Sequence, residues 1–154
     1  MAKYLLDTGI LLGFVRGAGY SKYVEQKFKL TDPGNILLVS AVSVGEMYSL
    51  AAQFQWGENK KNDLEDVLSE IQSIDISFPQ ILKKYAEIDA FSQGKHPVQE
   101  LPPGMTARNM GKNDLWIAAT ASVLEATLLT TDKHFDHLGG AFLEVIYVDP
   151  HGRY

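Results

Sequence analysis

The chain has 154 residues, of which 45% are hydrophobic and 21% are charged, with a formal net charge of −5 and no cysteine. This composition is typical of a globular domain with a sizeable core. The lack of cysteine excludes disulfides, thiolate metal sites and cysteine catalysis, and the negative charge disfavours a protein whose whole surface binds nucleic acid. No apolar run approaches the roughly 20 residues that cross a bilayer, and the start lacks a secretory signal, so we expect a cytoplasmic protein without membrane contact.

The predicted elements alternate between strand and helix along the chain. Short apolar runs bounded by turn residues predict five strands, at residues 3–7, 36–40, 73–77, 127–131 and 143–148. Amphipathic or alanine-rich stretches predict helices, at residues 10–15, 21–30, 42–55, 59–71, 79–92 and 113–125. Strands separated mostly by helices indicate a parallel sheet covered on both faces. We therefore expect one domain over residues 1–154, a three-layer α/β/α sandwich around a central parallel sheet of about five strands.

Residues 93–112 interrupt this alternation. The segment contains several helix- and strand-breaking residues, namely Gly94, Pro97, Pro102, Pro103, Gly104 and Gly111. A loop of this length without regular structure is usually functional or mobile. Basic residues that could contact phosphates lie on this segment and after the fourth strand, namely Lys95, Arg108, Lys112 and Lys133. A solvated rim explains these basic residues equally well.

Four acidic residues stand at the boundaries of predicted elements. Asp7 and Asp132 end strands, whereas Glu46 and Asp114 lie in the first turns of helices. Each has an ordinary structural explanation when it is taken alone. Asp7 and Asp132 could cap the segments that follow them. Glu46 could form a capping box with Ser43, and Asp114 is favourable beside the positive end of a helix dipole.

The four acids point to chemistry when they are taken together. If the strands are parallel, all four carboxylates lie at the same edge of the sheet, where open α/β sheets bind their ligands. Carboxylates that close together raise one another's pKa values, and Mg²⁺ or Mn²⁺, which prefer oxygen ligands, resolve that conflict. Such a site activates water and stabilises the charge of a phosphodiester in its transition state. Neighbouring hydroxyls could orient the carboxylates or a bound water, those of Thr8, Thr130 and Thr131.

These residues resemble the PIN domain family, which includes the VapC-type toxins and related metal-dependent ribonucleases. The similarity spans nearly the whole chain, in the family's order, and lies in the stretches 5–8, 43–46, 113–119 and 129–135. It implies a PIN-like fold and an endoribonuclease that hydrolyses RNA with water activated by Mg²⁺ or Mn²⁺. It also implies an antitoxin partner that occludes the site. By this resemblance the catalytic metal ligands are Asp7, Glu46, Asp114 and Asp132.

Two features depart from the family pattern. Gly9 stands where many relatives carry a polar residue, and the segment 93–112 is long for a small toxin. A further set of apolar residues belongs mostly to the core, but some could form a homodimer interface or an antitoxin-binding groove. This set comprises Leu11, Leu12, Phe14, Met47, Leu50, Phe54 and Trp56.

Other functions fit the sequence less well. The triplet that begins at Asp7 matches the aspartic-protease signature, but those enzymes use an all-β scaffold that the helical periodicity contradicts. A phosphatase with an aspartyl nucleophile would have a second acid two residues on, where Gly9 stands. His134 and His137 could bind a metal, although imidazole suits zinc better than magnesium. A non-catalytic PIN-like binding module is the remaining alternative, and the presence of all four acids argues against it.

Overall fold

The computed structural model describes residues 1–154, whose strands form one five-stranded sheet in which all neighbours run parallel. The strands are β1 (Lys3–Leu6), β2 (Ile36–Ser40), β3 (Gln72–Ile74), β4 (Thr127–Thr130) and β5 (Glu144–Tyr147). Their spatial order is β3-β2-β1-β4-β5. The predicted parallel sheet is confirmed.

The helices follow the predicted pattern, with ends that differ by a few residues. They are α1 (Thr8–Arg16), α2 (Gly19–Phe28), α3 (Ala41–Gln53), α4 (Glu58–Ser69), α5 (Pro79–Ser92) and α6 (Lys112–Val123). A short 3₁₀ helix (Lys133–Leu138) lies between β4 and β5. No helix combines the length and the apolar character that crossing a membrane requires.

The core lies on both faces of the sheet, because successive strand residues point to opposite sides. Leu5 belongs to a cluster with residues of α5 and α6, such as Phe91 and Ile117. Its neighbour Leu6 belongs to a second cluster with residues of α1 and α3, such as Met47. The three layers predicted from the sequence are therefore α/β/α, with the sheet in the middle.

Two local predictions differ from the structure. The third strand ends at Ile74 rather than at residue 77, because the side chain of Asp75 accepts the backbone N–H of Ser77 at 2.9 Å and forms a turn. Helix α3 begins earlier than predicted, since Ser40 caps it by accepting the N–H of Val42 at 3.2 Å. The capping box between Ser43 and Glu46, the alternative explanation of Glu46, therefore does not form, and Glu46 accepts the hydroxyl of Thr8 instead.

Residues 93–111 contain no helix or strand, as predicted, and they are tied to the end of α5. The backbone N–H of Arg108 donates to the carbonyl of Ser92 at 2.7 Å, and that of Lys95 donates to the carbonyl of Ala90 at 2.8 Å. Gly94 has a φ of 71°, a left-handed conformation that glycine adopts without strain. This glycine turns the chain away from the helix.

The chain order reverses next to β1, and this places the candidate site. From β1 the chain adds β2 and β3 on one side, then returns to add β4 and β5 on the other. The carboxyl ends of β1 and β4 therefore flank the topological switch point, where open α/β sheets bind ligands. Asp7 directly follows β1, and Asp132 lies two residues beyond β4.

Candidate metal centre

Asp7 is the most buried of the four acids, with 6% of its surface exposed. Its Oδ1 accepts the backbone N–H of Thr8 at 2.8 Å, so that it caps α1. Its Oδ2 accepts the hydroxyl of the fully buried Thr130 at 2.6 Å. Asp7 is thus both a helix cap and a carboxylate fixed between the ends of β1 and β4.

The pKa of Asp7 responds to its burial and to the charges of two other acids. Burial raises the pKa of Asp7 from its ordinary value of 3.8 to about 6, while the hydrogen bonds from Thr130 and Thr8 lower it. The negative charges of Asp114 and Glu46 raise the pKa of Asp7 further. Three of the predicted carboxylates therefore share one partly dry region, in which they repel one another.

Glu46 reaches the same region from α3. Its Oε1 accepts the hydroxyl of Thr8 at 2.9 Å, and the oxygen of that hydroxyl lies 3.1 Å from the hydroxyl oxygen of the buried Ser43. Thr8 thus holds Asp7 with its backbone N–H and Glu46 with its side chain. The predicted orienting role of Thr8 and Thr130 agrees with these hydrogen bonds.

Asp114 and Asp132 meet on the other side of the switch point. Asp114 lies in the first turn of α6, and Asp132 caps the 3₁₀ helix by accepting the backbone N–H of His134 at 2.9 Å. The Nδ1 atom of His134 lies 3.0 Å from Oδ2 of Asp132 and 3.4 Å from Oδ2 of Asp114. One possible ligand atom from each of these three residues lies within 4.8 Å of the others.

The pKa of Asp114 links this group to the remaining acids. Burial raises it first, the hydrogen bond and charge of His134 lower it, and the charges of Asp132 and Glu46 raise it. Glu46 therefore acts on both Asp7 and Asp114. The structure thus places the predicted acids in two pairs at one edge of the sheet, Asp7 and Glu46 joined through Thr8, and Asp114 and Asp132 beside His134. The compact group of possible ligand atoms contains Asp114 and Asp132 but not Asp7 or Glu46. Both pairs offer oxygen donors of the kind that hard divalent cations prefer.

Gly9 packs directly against Thr131, and this explains its departure from the family pattern. A Cβ atom at position 9 would lie 2.1 Å from Oγ1 of Thr131. The side chain of Thr131 forms no hydrogen bond to any of the four acids. Its contribution at this edge is packing against the first turn of α1, rather than the predicted orientation of a carboxylate.

The two histidines of the 3₁₀ helix lie in different environments. His137 is fully buried, and its Nε2 lies 2.7 Å from the hydroxyl oxygen of Ser92. Burial, followed by the charge of Arg108, lowers the pKa of His137 to about 4. His134, by contrast, faces the carboxylates. Sequence spacing alone groups these two histidines together. The informative feature is that His134 is the second residue after Asp132, with only Lys133 between them.

The basic residues considered in the sequence form no ion pair with a carboxylate. The four ion pairs of the chain involve only Lys61, Lys84 and His134 as cationic partners. Lys133 directly follows Asp132, and its ammonium lies 5.2 Å from the centre of the Tyr147 ring. The ammonium of Lys133 thus contacts an aromatic ring and forms no ion pair with the acids.

Comparisons with known proteins agree with this architecture. The PIN domain family model matches residues 4–141. The structure is similar to VapBC2 from Rickettsia felis bound to a DNA fragment from its promoter, with a TM-score of 0.74, 23% identity, and coverage of 94% of this chain and 98% of that one. It is also similar to VapBC-1 from nontypeable Haemophilus influenzae, with a TM-score of 0.68, 22% identity, and coverage of 94% and 97%.

A third similar structure is a toxin-antitoxin complex from Klebsiella pneumoniae, with a TM-score of 0.64 and 20% identity. It covers 97% of this chain and 99% of that one. A search of curated protein sequences finds no match to this chain.

Proposed function

Because this chain belongs to the PIN domain family, we propose that it is an endoribonuclease that hydrolyses RNA phosphodiester bonds with water activated by Mg²⁺ or Mn²⁺. One observation carries the proposal. Four acids on four separate elements lie at the edge of the sheet that contains the topological switch point, and the charges of Glu46 and Asp114 raise the pKa of Asp7 there. A fold that gathers mutually repelling acids at its ligand-binding edge is suited to hold a cation.

The donor set fits a hard divalent cation. Its carboxylate oxygens match the ligands that Mg²⁺ and Mn²⁺ prefer, and the proposed ligands are Asp7, Glu46, Asp114 and Asp132. When bound, such an ion supplies an activated water and offsets the charge that develops on the phosphodiester. No side chain of the group is required as a nucleophile.

The residues around the acids hold them in place. Thr130 donates to Asp7 at 2.6 Å and also accepts the backbone N–H of Asp132 at 3.0 Å, so that it links the ends of β1 and β4. Thr8 links Asp7 to Glu46. Hydrogen bonds to the ligands' free oxygens fix their orientation and tune their affinity for a cation.

The phosphate backbone of the RNA requires cations on the protein. Lys133 is adjacent to Asp132 in sequence, and Lys112 lies two residues before Asp114 at the start of α6. Both are exposed and form no ion pair with a carboxylate. We assign them to phosphate binding, which positions a nucleic acid without reading its sequence.

The proposal extends to a protein partner. The similar structures are VapBC and toxin-antitoxin complexes, so we propose that this chain is the toxin of a type II pair and that an antitoxin covers its site. An apolar cleft among α1, α2 and α4 is a suitable place for a partner's side chains. Its apolar lining comprises Leu6, Phe14, Leu30, Leu37, Val67 and Ile71, and Glu25, Thr31 and Glu70 also line it.

A homodimer is part of the same proposal. Most of the apolar residues singled out in the sequence lie in the core or against it, and Leu11, Met47 and Trp56 are buried. Phe54 is the exception, because 64% of it is exposed at the end of α3. Exposed aromatic side chains of this kind anchor protein interfaces. Light scattering after size exclusion would measure the mass of the assembly directly.

Substitution of the acids tests the proposed activity. Asp7→Asn, Asp114→Asn and Asp132→Asn should each abolish RNA cleavage, because each removes a charged ligand while it keeps the shape of the side chain. The matched control is Asp63→Asn, whose side chain is exposed on α4 away from the site. Full activity in all three site variants, with circular dichroism unchanged, would show that the chain is instead a non-catalytic PIN-like module.

A further inference from the structure

The imidazole of His134 lies between two of the proposed ligands. Its Nδ1 atom is 3.0 Å from Oδ2 of Asp132 and 3.4 Å from Oδ2 of Asp114. One ligand atom from each of the three residues falls within a span of 4.8 Å. Two carboxylate oxygens and one imidazole nitrogen thus lie close enough to one another to share one cation.

We infer that His134 supplies a nitrogen ligand to the cation held by Asp114 and Asp132, so that this position takes Mn²⁺ in preference to Mg²⁺. The inference rests on the proposed metal site, and it adds to that site a ligand and a choice of ion. None of the other three histidines is directed at the acids in this way. The Nε2 atom of His137 is hydrogen-bonded to the hydroxyl of Ser92 in the core, and Nδ1 of His96 accepts two backbone N–H groups.

The local structure prepares His134 for this role. Asp132 accepts the backbone N–H of His134 at 2.9 Å, so the two ligands are fixed to each other by the cap of the 3₁₀ helix. The side chain of His134 is 69% exposed. In the metal-free protein the Nδ1–H of this imidazole can donate to the carboxylates. A bound cation would replace that proton, and the exposed Nε2 would then carry the N–H and donate it to water.

Ligand chemistry gives the preference among ions. Mg²⁺ is a small, hard ion that demands oxygen ligands and releases its waters reluctantly. Mn²⁺ shares the preference of Mg²⁺ for carboxylate oxygen. As a larger and softer transition-metal ion, however, Mn²⁺ accepts an imidazole nitrogen beside carboxylates more readily than Mg²⁺ does. A site with carboxylate ligands only would separate Mg²⁺ and Mn²⁺ weakly. A nitrogen ligand added to two carboxylates strengthens the binding of Mn²⁺ and contributes little to Mg²⁺.

Metal titration of His134→Asn tests the inference without reference to activity. Isothermal titration calorimetry of the full chain with Mn²⁺ and with Mg²⁺ would compare this variant with the wild type and with His151→Asn, a control at an exposed position. We expect the affinity for Mn²⁺ to fall by about tenfold or more in His134→Asn, with a change of less than about threefold for Mg²⁺. The control should match the wild type for both ions.

Pulsed electron paramagnetic resonance of the Mn²⁺-loaded protein reports the nitrogen directly. The wild type should show ¹⁴N modulation from a coordinated imidazole, and His134→Asn should lose it. Equal changes in Mn²⁺ and Mg²⁺ affinity, absence of the ¹⁴N signal in the wild type, or failure of the wild type to bind Mn²⁺ would each overturn the inference. His134 would then be only a hydrogen-bond partner of the two acids.

The two proposals can fail separately. If the chain binds Mn²⁺ through His134 but cleaves no RNA, the inference stands and the ribonuclease proposal fails. If RNA is cleaved with Mg²⁺ and Mn²⁺ equally and His134→Asn leaves both affinities unchanged, the ribonuclease proposal stands and the inference fails.

Discussion

Replacement of Asp7 by asparagine should stabilise the metal-free protein at alkaline pH, although it removes a proposed metal ligand. Asp7 is 6% exposed, and burial raises its pKa from 3.8 to about 6. Ionising this carboxyl therefore costs more in the folded protein than in the unfolded chain. A difference of about two pKa units corresponds to roughly 3 kcal/mol in the free energy of unfolding.

The direction of the pH dependence follows from the raised pKa. The stabilising contribution of protonated Asp7 is complete below pH 3.8 and is lost as the pH rises through about 6. The Asp7→Asn variant does not lose stability in this way as the pH rises, because its amide has no charge at any of these pH values. We expect similar stabilities at pH 4, and at pH 8 an advantage of up to about 3 kcal/mol for the variant.

The lowered pKa of His137 makes the folded protein less stable as the pH falls, the opposite of the effect of Asp7, over an overlapping range of pH. Its contribution is lost as the pH falls from 6.5 to about 4, and it is common to the wild type and the variant. The difference between the two proteins therefore isolates Asp7. The matched control is Asp63→Asn, a substitution at an exposed position of α4.

Urea denaturation in EDTA at pH 4, 6 and 8 measures this difference. The wild type, Asp7→Asn and Asp63→Asn would be compared at each pH. The reasoning requires the advantage of Asp7→Asn over the wild type to grow with pH, and Asp63→Asn to follow the wild type. A constant difference across the three pH values, or a variant less stable than the wild type at pH 8, would refute it.

Three further changes test the packing and the hydrogen bonds of the site. Gly9→Ala should lower the free energy of unfolding by about 1–3 kcal/mol, since its Cβ would lie 2.1 Å from Oγ1 of Thr131. In urea denaturation, the double variant Gly9→Ala/Thr131→Ala should regain most of the lost stability. A double variant as unstable as Gly9→Ala would contradict the proposed clash. Thr8→Val should weaken Mn²⁺ binding in calorimetry by roughly 10- to 100-fold, because Glu46 loses a hydrogen bond of 2.9 Å. Thr8→Ser keeps the hydroxyl and should keep the affinity for Mn²⁺. Equal affinities of the two variants would argue against a role of the Thr8 hydroxyl in orienting Glu46. The ring of His137 should remain neutral in an NMR titration until about pH 4, and protonation near pH 6.5 would contradict its burial.

The sheet could be predicted from the sequence because its strands are buried on both faces. Apolar runs such as Ile36–Ser40 lack the alternation of a half-exposed strand, and the helices between them require parallel connections. Element ends were harder to predict, since single side-chain contacts decide them. Ser43 is a plausible cap in the sequence, but in the structure Ser40 caps the helix through its hydrogen bond from Val42.

That the four acids lie at one edge of the sheet could be predicted, because topology alone places them there. Asp7 and Asp132 follow adjacent parallel strands, whatever the details of their side chains. The position of His134 could not be predicted in this way. It depends on the turn that Asp132 makes as the cap of the 3₁₀ helix, which directs His134 to the acids and His137 into the core.

The products of RNA cleavage test the central claim most directly. A panel of transfer, ribosomal and single-stranded RNA would be incubated with the wild type and Asp114→Asn in Mg²⁺, in Mn²⁺ and in EDTA, with H₂¹⁸O as solvent. Hydrolysis by metal-activated water predicts discrete cuts that require the ion and Asp114, with one solvent oxygen in a linear phosphate end. Cleavage that persists in EDTA or in Asp114→Asn, or that proceeds through a 2′,3′-cyclic phosphate, would contradict it.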